Sequence, residues 1–177
     1  LAKLFYTQGM PLSLILGVGT RLLPALWGWA ELPTHAVKVS RAPHSFKVII
    51  PVLVLAFVLL ASFFMEVFLN AQIAWVVRAS LASYLAVTRW TIFKKPKAKG
   101  KIAFWLWVSA WTLLLGLWGP VFRPDYWLHL IHITFIGGFA LMALMIASRV
   151  ILAHGGHGFY IDYSSRMFTL VAILVLL

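Results

Sequence analysis

The chain has no cysteine. Disulfides, zinc ribbons and cysteine-held clusters are excluded, as is thiolate ligation of haem. Charge is also scarce: 11% of the 177 residues are Asp, Glu, Lys or Arg, against about a quarter in a soluble domain. There is no glycine-rich nucleotide loop, no nucleophile elbow and no HExxH zinc motif. No basic segment leads to a small-residue cleavage site, so no secretory signal is visible. Internal repeats, low-complexity tracts and a soluble domain are missing too.

What fills the chain instead is apolar. Hydrophobic residues make up 63% of it and the mean hydropathy is +0.96, the composition of an integral membrane protein. The net charge of +11 would point to nucleic acid in a soluble protein. Here the basic residues sit in short loops, which fits orientation in a bilayer, and no nucleic-acid partner is expected.

A membrane helix needs about 20 largely apolar residues. Six such segments are expected, over 4–27, 48–68, 70–93, 102–122, 126–153 and from 165 onward. The fold class is all-α: a polytopic transmembrane bundle of six helices, forming one domain over residues 1–177. Leu1 is not a methionine, and the apolar run to Leu177 stops without a charged flank. The chain is therefore expected to be a piece of a longer polytopic protein, completed by further helices or partner subunits.

Lysine and arginine mark every second loop. Loop 31–47 holds Lys38, Arg41 and Lys47 against Glu31, and loop 94–101 holds five lysines and no acid. Arg166 and the nearby Arg149 outnumber Asp162 around loop 154–165. By the positive-inside rule these three loops are cytoplasmic, with Lys3 the one dissent. Trp27, Trp29, Trp90, Trp118, Tyr126 and Trp127 stand at segment ends, where such rings favour the headgroup layer. Small residues recur at helical spacing: Gly9, Ser13 and Gly17, then Gly137, Ala140, Ala143 and Ala147. They permit close helix packing, and would also admit a flat macrocycle.

The chemistry points to histidine. His129 and His132 form one HxxH pair at the outer end of segment five, and His154 and His157 form a second in AHGGHG at its inner end. Imidazole is the commonest protein ligand for haem iron, copper and zinc. The bland reading is an interfacial pair at His129, a hydrogen-bonded core residue at His132 and a helix cap at His154. From His132 to His154 is 22 residues, about 33 Å at 1.5 Å per residue. One metal cannot reach both, so two ligating pairs mean two sites on opposite membrane faces. His35 and His44 fall on the inner face with His154 and His157, and these four are the candidate metal ligands there.

Arg78 lies about nine residues into segment three, near the bilayer middle. A charge there costs a few kcal/mol and is turned inward. It is expected to face a haem propionate, an anionic ligand or an acid elsewhere, or to be solvated by helix carbonyls and water. Glu66, at the outer edge, is too shallow to be its partner. Arg21 and Arg89 can snorkel to the inner face; Arg149, five residues before His154, is placed to meet a group held there. Met142 and Met145 share a face, which reads as packing.

The stretch HLIHITFIGGFALMALMIASRVILAHGGHG resembles the signature of NnrS-type proteins: a histidine at a helix start, a glycine-containing run, an Arg-Val step and a terminal Gly/His cluster. The opening FYTQGMPLSLILGVGTRLLPALWG resembles a further segment of that family, with its Arg-Leu-x-Pro ending. One departure stands at residues 154–158, which read HGGHG where the family ending is closer to GHTG. The resemblance implies a multi-helix inner-membrane protein that binds haem and copper and is linked to nitric oxide stress. It implies roles for His132, Arg149 and His154, and about twice this number of helices.

The expected function is thus an integral membrane protein binding haem b, with copper as a possible second metal, that responds to or detoxifies nitric oxide. Cofactor contacts fall to His132, His129, Arg78 and Arg149. Binding nitric oxide needs only an open position on iron, so a catalysed reaction is not required. Two rivals remain: a transporter or channel in which histidines relay protons and Arg78 holds an anion, and a structural subunit of a respiratory membrane complex.

Overall fold

The structure, a computed structural model, describes residues 1–29, 46–155, 162 and 166–176, without the side chains of 46–49 and 52. Six helices run through them. Helix α1 spans Ala2–Leu26, α2 Phe46–Phe68, α3 Ala71–Thr88, α4 Lys101–Phe122, α5 Pro124–His154 and α6 Met167–Leu176. Helices α1, α4 and α5 are long and apolar enough to cross a bilayer, and α2 carries a shorter apolar run over Leu53–Phe68. Helix α3 is more polar, holding Gln72, Arg78, Ser80 and Ser83.

Local chemistry explains where the helices stop. Asn70 caps α3: its side-chain oxygen accepts from the Gln72 and Ile73 amides at 2.8 and 3.2 Å, filling two of the four orphan donors of that end. At the other end of α1, Gly28 takes φ +77°, the left-handed conformation that glycine adopts at a helix C-terminus. The Trp27 carbonyl then accepts from the Lys97 and Ala98 amides at 2.9 and 3.1 Å. The lysine-rich loop is thereby laid against the end of α1, with the Lys97 ammonium 4.3 Å from the Trp29 ring centroid.

Helix α4 is the centre of the bundle and lies against α3, α5 and α6. Helix α2 packs on α3, and α1 meets α2 and α3. Glycines let α4 and α5 approach closely: a Cβ at Gly116 would collide with Thr134, and one at Gly138 would meet the Leu113 backbone at 3.0 Å. Such contacts suit a medium that offers no hydrophobic drive between helices.

Two expectations change here. The small-residue stripes are not the packing seams. Gly9 and Gly137 are buried, but Ser13, Gly17, Ala140, Ala143 and Ala147 are exposed. The buried face of α1 is Leu12, Leu16, Gly19, Leu23 and Leu26, a 3–4 spacing of mostly large residues. Trp27 and Trp90 do not present their rings to lipid either; both are fully buried within the bundle. The Trp90 ring fills the space beside Gly19, where a Cβ would meet it at 3.3 Å.

Candidate functional site

Two helices depart from regular α geometry. Helix α1 contains a π-helical stretch at Phe5–Gly9, and α5 contains one at Ile133–Ala140. Wide turns of this kind recur at functional sites. Both border one cleft toward the end of the bundle that holds the α2–α3 and α4–α5 turns, lined by Gln8, Arg78, Gly116, Trp127, Thr134 and Phe139 among others.

Arg78 sits in this cleft at 3% exposure. One guanidinium nitrogen forms an ion pair with Glu66 of α2, another donates to the Gln8 side chain at 3.0 Å, and the Phe63 ring lies 4.4 Å below. Glu66 is therefore the partner that its apparent shallowness had ruled out. The two-residue turn at Leu69 and Asn70 means that both depths count from the same place. Their offset is about one helix turn, or ~6 Å at 1.5 Å per residue, which the long arginine stem covers.

The opposite end of the bundle holds the second ion pair. Asp162, at 2% exposure, accepts from the Ile102 amide at 2.8 Å and pairs with Arg149 at 3.3 Å. Helix α4 begins after Gly100, which has no side chain with which to cap it. A carboxylate 60 residues away in sequence supplies that cap and complements the positive end of the helix. A Cβ at Gly100 would collide with this carboxylate. Arg149, expected to face a group held at His154, thus has a protein carboxylate beside it.

Sequence reasoning missed Asp162, Gln8 and Thr134. For Asp162 a signal existed: a helix opened by glycine wants its cap from elsewhere, and acids are few.

The described histidines stand outside this cleft. His129, His132 and His154 are exposed, and none of them lines the cleft. Ile131, Thr134 and Phe135 face the cleft in their place, so Arg78 and His132 are not brought together. His35, His44 and His157 lie outside the described residues.

His132 and His154 share one arrangement. The His132 Nδ1 is 2.6 Å from the Leu128 carbonyl, and the His154 Nδ1 is 2.9 Å from the Val150 carbonyl. A carbonyl only accepts, so each Nδ1 carries the proton, and in the neutral form of either ring the lone pair lies on Nε2. A backbone carbonyl that fixes the tautomer is the usual support of a metal-ligating histidine. The donor set therefore fits a haem, which brings its own four nitrogens and takes one axial imidazole. A bare copper ion needs several protein donors, and no three of His, Cys, Asp and Glu gather among the described residues. Met142 and Met145 are buried in packing, as expected.

No curated protein and no solved structure matches the chain. The model of the family described as NnrS protein matches residues 4–177. With its all-helical architecture and three helices long and apolar enough to span a bilayer, the chain is a membrane protein that belongs to the NnrS family.

Proposed function

We propose that the protein binds haem b at the outer end of α5 and copper at its inner end, and that it serves the response to nitric oxide. The observation that carries this is the shared geometry of His132 and His154. Each donates Nδ1–H to the carbonyl four residues back, which leaves Nε2 as the free donor at opposite ends of one helix. Membership of the NnrS family supports the role in nitric oxide response.

In this proposal His132 would hold the haem iron through its Nε2, with His129 one turn away beside it. Bound haem would supply an open iron position, which is all that holding nitric oxide requires. His154 would join His157, His35 and His44 in a copper site on the inner face. Arg149 would set the charge near the inner site, already held in place by a carboxylate, while Arg78, paired with Glu66 in a cleft that no described histidine lines, stays outside the haem site. Loops 31–47, 94–101 and 154–165 would face the cytoplasm of a bacterial inner membrane, and further helices or subunits would cover the exposed face of α5.

The test is the absorption spectrum and metal content of the protein purified from membranes. A Soret band with stoichiometric iron is expected. A colourless, iron-free protein that moves protons or anions across vesicles would replace this proposal with the transporter reading.

A further inference from the structure

We propose that the cleft around Arg78 is a binding site for a small uncharged molecule with one hydrogen-bond acceptor, separate from any metal. Two unspent donors line it. The Arg78 Nε and the Thr134 hydroxyl are both buried, and neither has a hydrogen-bond partner. Arg78 and Thr134 are each 3% exposed. A buried N–H or hydroxyl left without a partner is destabilising and rare in native structures. Two of them in one cleft mark a place where an acceptor belongs.

The charge of the site decides which acceptor. Glu66 already neutralises the guanidinium and Gln8 takes a further N–H. An anion would enter a charge-balanced, low-dielectric site and would be repelled by Glu66. An uncharged molecule accepts from the two donors without that cost. The rest of the wall is apolar, including Leu12, Leu117, Ile131 and Phe135, which suits a ligand with one polar atom and an apolar remainder.

Size narrows the class. The cleft leaves about 30 Å³ for the centres of water-sized molecules, room for about two of them. A ligand of two to four non-hydrogen atoms fits. The site lies among the two π-helical stretches, whose wide turns open α1 and α5 where Gln8 and Thr134 stand.

Formamide and formate test this, because they share size and shape and differ in charge. Thermal unfolding of the purified protein in detergent is followed with each, along with its tryptophan fluorescence, to which Trp75 and Trp127 of the cleft contribute. Formamide is expected to raise the midpoint saturably and to change the tryptophan emission, while formate does neither. Thr134→Val keeps the side-chain shape and removes a hydroxyl that has no partner, so the variant should be at least as stable as the parent. It should weaken the formamide response at least tenfold. Saturable formate binding, an absent formamide response, or an equal formamide response in Thr134→Val would each overturn the proposal. None of these readouts depends on haem or copper, so failure here leaves the metal proposal standing.

Discussion

Two arginines stand in largely apolar surroundings, and the molecule handles them in different ways. Arg78 is inside the bundle, and its carboxylate comes from the adjacent helix 12 residues earlier. Arg149 is 20% exposed near the end of α5, and its carboxylate also caps another helix. The first pair answers a cost, since a lone charge in that position is strongly unfavourable. The second pair is a clasp that draws the end of α5, the start of α4 and the chain at Asp162 together. Among the described residues, charge is thus used once to neutralise and once to join.

Breaking the inner balance should have the largest effect. Glu66→Leu leaves a buried guanidinium without its counter-ion and should cost about 3–5 kcal/mol, measured by unfolding in detergent. Replacing both members, Glu66→Leu with Arg78→Leu, should recover most of that loss, because a matched apolar pair often equals a buried ion pair. A double variant as unstable as the single one would show that Arg78 serves packing through Gln8 and Phe63 rather than charge.

The clasp should respond less. Gly100→Ala pushes a methyl into the Asp162 carboxylate and should cost about 1–3 kcal/mol as an overpacked site. Asp162→Ala removes the cap from α4 and should cost about 1–2 kcal/mol. Asp162→Asn keeps an acceptor for the Ile102 amide, so it should cost less than alanine. Equal losses for asparagine and alanine would show that the ion pair with Arg149, and not the cap, is what matters.

The architecture was largely legible because apolar run length alone locates membrane helices. Segment 102–122 became Lys101–Phe122, and segment 126–153 became Pro124–His154. The polar site was less legible, for reasons of reach. Asp162 caps a helix 60 residues away, and no local pattern encodes such a contact. Glu66 was judged by its depth alone, although the long stem of Arg78 spans the offset. In sequence, the stripe of Gly137, Ala140, Ala143 and Ala147 reads as one seam. Only Gly137 meets α4, while the three alanines lie on the exposed side with His132 and His154.

That exposed side carries the proposed metal ligands. His132 and His154, each with Nδ1 tied to its own helix, are proposed to serve two separate metal centres. Iron, copper and visible spectra measured on purified His132→Ala and His154→Ala decide it most directly. His132→Ala is expected to lose or shift the haem band and retain copper, and His154→Ala to lose copper and retain the haem band. Spectra and metal contents unchanged in both variants would contradict it.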